Sequence, residues 1–358
     1  MIYYLFLFLV LLYFHLLGVS PRLQVFLSLL TLCIFSGVRF NAGYDYPVYY
    51  ELSQKDDYDW FEPLSRVLMD IGHYTDPILL FILSSALIAI FYYLAFDRYS
   101  RLYQWHPVGL FAFLGLPIAY LDSLGVIRQF IAIAIFVYVA SNIYRRTLIS
   151  IAWLLIAALF HKSILVLFPL VILRRWLSKP RSWFIYVLVW ACFLILGPLL
   201  ITAVSQYTGL YTSYFTLHLS NSGLKIYALL SLIYIFFLIN RKYIFENSNH
   251  IFLFHCYFIG ILLFSAALPF GIHISRISWA LLAVHPFLFG IVFYKKTPFL
   301  RGAFIAACAL TMSMSLFLAY KNPERDFLNQ YQPFFLLDKF QRDFIVEKSL
   351  QTEIQRQD

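Results

Sequence analysis

Six ionisable residues, Arg39, Asp45, Glu62, Arg128, His161 and Arg276, lie at or just inside the ends of long apolar runs, in a chain only 13% charged over 358 residues. An ionisable group at such a depth is costly unless it is paired or has chemistry to perform. The residue types divide that chemistry between them. Arginine forks grip phosphate bidentately and stabilise charge developing on a leaving group without a metal. Asp, Glu and His can take a proton from an attacking hydroxyl, and imidazole titrates near neutrality. Asp45 precedes the run Tyr46-Pro47-Val48-Tyr49-Tyr50, and Glu62 stands between Phe61 and Pro63, ahead of an amphipathic stretch over 64–69. Aromatic faces such as Tyr49 beside carboxylates suit a sugar, whose ring C–H groups stack while its hydroxyls hydrogen-bond. Each residue also has a bland reading: a snorkelling interfacial Arg, a solvated loop carboxylate, or a core His bonded to a carbonyl at a helix break. The residues alone do not rank Asp45, Glu62 and His161 as proton acceptor.

The elements that must position these groups are apolar helices. Hydrophobic residues make up 62% of the chain and aromatic ones 20%, with a mean hydropathy of +0.76. Apolar runs occur at 2–17, 22–38, 77–95, 107–122, 124–143, 148–173, 183–204, 225–239, 250–269, 276–293 and 300–319, each near the roughly 20 residues a bilayer requires. The expected fold is an all-α polytopic integral membrane protein of about 10 to 11 transmembrane segments. One transmembrane domain covers 1–319, and an amphipathic tail over 320–358 carries Phe340, Phe344, Ile345 and Leu350 at near-helical spacing. The first run lacks a basic leader and a small-residue cleavage site, so it reads as a retained helix.

The net charge of +9 is spread over short connectors, which is a topology signal and not a nucleic-acid surface. Arg22, Arg98, Arg101, Arg145, Arg146, Arg241, Lys242, Lys295 and Lys296 mark the cytoplasmic side. Simple alternation then strands Arg174, Arg175, Lys179 and Arg181 on the wrong side, unless 148–173 enters and returns as two half-helices with His161 at the apex. A tilted full crossing is the alternative. The re-entrant reading itself implies a watery or protein-lined cavity at the apex. It leaves loops 39–76, 205–224 and 270–276 outside, the first holding eight of the chain's 18 acidic residues. Asp56, Asp57, Asp59 and Asp76 are assigned there to ordinary solvation. Cys33, Cys192, Cys256 and Cys308 lie in apolar runs without ligand spacing and read as packing residues. No HExxH, nucleophile elbow or phosphate-cradling Gly loop occurs, so neither a metal nor a cofactor is expected.

The string from Ser36 to Tyr50, with Arg39, Gly43, Asp45 and the tyrosines, resembles the Arg/Gly/Asp/Tyr signature of EpsG-like proteins, a branch of the Wzy-type polysaccharide polymerases. Phe61-Glu62-Pro63, Ile127-Arg128-Gln129, Phe160-His161-Lys162-Ser163 and Ser275-Arg276 follow in the family's order. Tyr44 and Lys162 depart from its pattern and bear on sugar specificity. The resemblance implies a GT-C-like glycosyltransferase of the bacterial inner membrane. Such an enzyme joins undecaprenyl-pyrophosphate-linked oligosaccharide repeat units on the outer face, without a cofactor, alongside a partner that regulates chain length. It implies Arg39, Arg128 and Arg276 on the pyrophosphate, with Asp45, Glu62 or His161 as base. A flippase of lipid-linked oligosaccharide is the rival from another class, but it should show an internal repeat, which the chain lacks. An O-antigen ligase or an acyltransferase would share the carrier or the topology with a different acceptor.

Overall fold

Proline sits within the first two positions of many helices, where its missing N–H costs nothing and its fixed φ suits the first turn. The computed structural model describes residues 2–142, 147–208, 223–321 and 328–354. The main helices are α1 (Ile2–Leu16), α2 (Pro21–Gly37), α3 (Tyr46–Lys55), α4 (Pro63–Tyr74), α5 (Pro77–Leu102), α6 (Gly109–Gly115), α7 (Ile127–Ser141), α8 (Thr147–Ala158) and α9 (Phe168–Ile172). They continue as α10 (Trp183–Thr208), α11 (Leu224–Ile239), α12 (Ser248–Ala267), α13 (His285–Tyr294), α14 (Pro298–Lys321) and α15 (Lys339–Ile354). Stretches Pro77–Leu102, Trp183–Val204, Ser248–Phe270, Arg276–Tyr294 and Pro298–Lys321 are long and apolar enough to cross a bilayer. With the shorter apolar helices they make an all-α polytopic membrane protein. Ile195, Leu199 and Val204 on α10 are exposed, as lipid-facing positions should be.

The bundle has a basic end and an acidic end. At the basic end Arg22 donates to Asp97 at 3.0 Å, Arg101 pairs with the same carboxylate, and Arg98 Nε donates to the Ser141 carbonyl at 2.9 Å. Lys295 pairs with Glu246 at 2.6 Å there. Arg145, Arg146 and most of the 205–224 loop lie outside the described residues. At the acidic end the 39–76 segment is not an open loop: α3 and α4 lie in it and pack on one another.

Residues 148–173 turn back. α8 ends at Ala158, His161 is extended (φ −158°, ψ 114°), and a 3₁₀ turn over Lys162–Leu167 leads into α9, which packs against α8. α10 then runs parallel to α12, since Tyr186 meets Phe254 and Phe258 at 5.1 and 5.2 Å while Gly197 lies against Ala266. Its start, and Arg174–Arg181 just before it, therefore return to the basic end. The apex needs partners for its non-helical backbone, and the start of α4 supplies them. Leu64 N–H donates to the Leu159 carbonyl at 2.9 Å, Ser65 Oγ to the Phe160 carbonyl at 2.8 Å, and Lys162 N–H to Glu62 Oε1 at 3.0 Å. Orphan donors at the N-terminus of one helix thus meet orphan acceptors at the C-terminus of another.

Two expected spans are broken. Over 107–122 the helix stops at Gly115, where a Cβ would press on the Cys308 carbonyl of α14, and Pro117 follows. Ile118 takes a positive φ of 58°, held by its N–H donating to Asp122 Oδ2 at 2.6 Å. Over 276–293, 3₁₀ and α turns at Arg276–Ser278 and Trp279–Leu282 precede α13 at His285-Pro286. Both breaks put irregular backbone inside protein, where it is tolerated.

The tail comes back to the acidic end. Arg39–Phe40 (β1) pairs antiparallel with Gln332–Pro333 (β2), and Tyr331 stacks on Phe35 at 4.2 Å. α15 packs on α3, where Tyr50 Oη and Gln54 Nε2 donate to Asp343 at 3.1 and 2.9 Å. Arg342 forks onto Asp76 at 3.2 and 3.0 Å. Asp76, expected to be merely solvated, therefore anchors the tail and also caps α5 through the Ile78 N–H at 2.9 Å. Phe340 and Phe344 remain exposed on the outer face of α15.

Candidate functional site

Arg128 opens α7 at the acidic end and is the centre of the site. Its Nη1 donates to Glu62 Oε2 at 2.8 Å and its Nε to Tyr49 Oη at 3.0 Å. The guanidinium carbon lies 3.6 Å from the centroid of Phe61, with Trp60 at 5.3 Å and Tyr49 at 5.6 Å. A planar, weakly hydrated cation suits such an aromatic cage better than an ammonium does. Residues from α3, from the turn before α4 and from α7 thus meet on one side chain.

Glu62 joins this cage to the hairpin apex. Its Oε2 accepts the Arg128 Nη1 and its Oε1 accepts the Lys162 N–H, one residue beyond His161. His161 Nδ1 is 2.7 Å from Ser163 Oγ. Burial holds the imidazole below its usual range; Glu62 pulls it up, and Arg128, Lys162 and Arg276 push it down. The ring is therefore neutral and proton-accepting at neutral pH. Three cations and one carboxylate act on it, an excess of positive charge suited to an anionic ligand.

Arg276 approaches from the turn before α13. Gln129 Nε2, next to Arg128, donates to the Arg276 carbonyl at 2.9 Å. The guanidinium lies 5.5 Å from Trp279 and 6.0 Å from Tyr44, and its buried Nε has no hydrogen-bond partner among the described residues. Its charge also acts on the Tyr49 hydroxyl, as do those of Arg128 and Asp45; burial dominates and raises that hydroxyl to about 12, so it stays protonated. Asp45 stands at the N-cap of α3, its carbonyl accepting the Tyr49 N–H at 3.0 Å.

Arg39 is placed differently from the other two arginines. It is 1% exposed and donates to the carbonyls of Ala42 at 3.1 Å, Ser36 and Leu124 at 3.1 Å, and to Ser85 Oγ at 3.1 Å. It bolts the 39–45 loop onto the turn that starts α7. Gly43 completes the joint: its φ is +111°, and a Cβ there would overlap the Leu124 carbonyl. Tyr49 is likewise buried, its ring edge-on to Phe61 at 5.8 Å, so it supports Arg128 and offers no open face. The open aromatic is Trp60, 67% exposed and perpendicular to Phe61 at 4.3 Å. Trp60 escaped sequence reading because it follows a run of acidic loop residues; its adjacency to Phe61-Glu62-Pro63 was the available signal.

Among the described residues no cluster of three or more potential metal ligands occurs. No curated protein and no solved structure matches the chain. The model of the EpsG family matches residues 22–335, a span that holds every residue of the Arg128 cage, the hairpin apex and the Arg276 turn. With that extent of match, the chain belongs to the EpsG family.

Proposed function

We propose that the chain is a polysaccharide polymerase that joins oligosaccharide repeat units carried on undecaprenyl diphosphate, at the outer face of a bacterial inner membrane. The observation that carries this reading is that Glu62 accepts both Arg128 Nη1 and the Lys162 N–H beside His161, with the Arg276 turn tied to Gln129 next to Arg128. The basic connectors collect at the opposite end, which supports reading the site as non-cytoplasmic.

The acceptor hydroxyl oxygen bonds to the anomeric carbon of the growing glycan. The bond from that carbon to the diphosphate oxygen breaks, and the electron pair leaves with the diphosphate, held by Arg128 and Arg276. The hydroxyl proton passes to His161 and then to water. Trp60 offers its face to a sugar ring, while Asp45 orients a hydroxyl at the α3 start. Tyr49 and Arg39 act through others, the first by holding Arg128 and the second by holding the loop. A chain-length regulator would meet the polymerase at this same end, where product leaves.

The test is polymerisation by the purified protein of synthetic lipid-diphosphate repeat units, read as a ladder on a gel. Absence of a ladder overturns the polymerase reading. His161→Ala should lower turnover roughly 10²- to 10⁴-fold while donor binding stays near normal.

A further inference from the structure

Arg128 and Glu62 are partners through Nη1 and Oε2 at 2.8 Å. A diphosphate offers the same chemistry to a guanidinium as a carboxylate does, namely paired anionic oxygens in one plane. Arg128 gives Glu62 a single N–H, Nη1 to Oε2 at 2.8 Å, while Nε is taken by Tyr49 and the face lies on Phe61. An incoming diphosphate that takes paired donors from Arg128 therefore competes with Glu62 for Nη1. Glu62 does not drift away when it loses, since Oε1 is held by the Lys162 N–H at the apex beside His161.

We propose that Glu62 is a placeholder for the substrate diphosphate, and that its displacement from Arg128 leaves more of its charge acting on His161. The inference rests on the polymerase reading and deepens it by assigning an exchange of partners at the Arg128 fork. While Glu62 is paired with Arg128, the imidazole feels three cations and that one carboxylate. When diphosphate takes the fork, Glu62 Oε2 is released within reach of the apex and stabilises the imidazolium that forms as His161 accepts the hydroxyl proton. The bond changes are those given above, with the proton on His161 and the electron pair on the departing diphosphate. Proton acceptance is thereby coupled to an occupied donor site, which disfavours idle attack by water.

The partner exchange makes an unusual prediction. Removing a carboxylate that merely positions substrate weakens binding, whereas removing a competitor strengthens it. Glu62→Gln should bind a short-chain prenyl-diphosphate-linked sugar about 10-fold more tightly or better, while turnover falls by about 10²-fold or more. Glu62→Asp keeps the charge but retracts it from the fork, and should also bind more tightly than wild type, by a smaller factor. Calorimetric titration in detergent reads the binding, and the gel assay reads turnover. If both variants bind the probe as weakly as wild type or more weakly, the placeholder role is overturned, even though wild type still makes polymer. If wild type makes no polymer and binds no probe, the underlying polymerase reading fails instead.

Discussion

Replacing Arg39 with Lys separates a substrate-binding arginine from a structural one. The Arg39 guanidinium donates to three backbone carbonyls and one hydroxyl, on α2, the 39–45 loop, α5 and the turn before α7. An ammonium on a flexible stem has three donors clustered at one point and cannot span acceptors placed around a planar fork. At least one buried carbonyl is left without its donor, and at 1% exposure no water replaces it. A hydrogen bond to a charged group contributes about 1.5–3 kcal/mol, and a stranded buried acceptor costs about 1–3 kcal/mol. The expected loss is therefore about 2–4 kcal/mol of stability, seen as a lower unfolding midpoint in detergent and faster proteolysis around 39–45. Donor binding by the surviving folded fraction should stay within a few-fold of wild type. Arg128→Lys should show the reverse: a modest change in unfolding and a large loss of turnover. An Arg39→Lys protein that unfolds like wild type but has lost donor affinity would refute the structural assignment and return Arg39 to the diphosphate.

Further outcomes are open to measurement. Because the fold lowers the His161 pKa, the neutral base should persist below the ordinary imidazole value of about 6.5. The acid limb of turnover against pH should then lie below that value, and Lys162→Gln should move it upward; a limb at 6.5 in both proteins contradicts the assignment. Fold stability from the same group is full above pH of about 6.5 and declines as pH falls toward the lowered value, which unfolding curves at several pH values will read. Gly43→Ala meets both a left-handed φ and the Leu124 carbonyl, so it should destabilise by more than the roughly 1–3 kcal/mol of a strained φ alone, measured as lost folded yield. Trp60→Ala should weaken binding of the sugar-bearing donor about 2- to 10-fold with little change in stability, the range that stacking contributes, read by titration. Single cysteines at Lys179 and Lys242 should label from one side of the membrane and one at Asp45 from the other; labelling of 45 and 179 from the same side refutes the hairpin.

What the linear chain determined follows from local chemistry and from counting. Apolar length declared the helices, because a bilayer accepts only backbone whose hydrogen bonds close within the segment. Basic connectors favoured a turn-back at 148–173 over a tilted crossing, since the crossing strands Arg174 and Arg181 among the acidic loops, and the structure returns them to the basic end. Composition also set Arg39, Asp45, Glu62, Arg128, His161 and Arg276 apart, because charges at those depths require partners. Tertiary structure decided which charges face each other. Arg39 and Arg128 look alike in sequence, each at a helix end beside aromatics, yet one is consumed by carbonyls and the other caged beside Glu62. That difference depends on what the opposite elements present, Leu124 and Ser85 in one case and Phe61 and Glu62 in the other, which no local pattern encodes. The breaks at Gly115 and before His285, and the return of the tail through Arg342 and β2, were hidden for the same reason: their causes lie in contacts with residues far away in the chain.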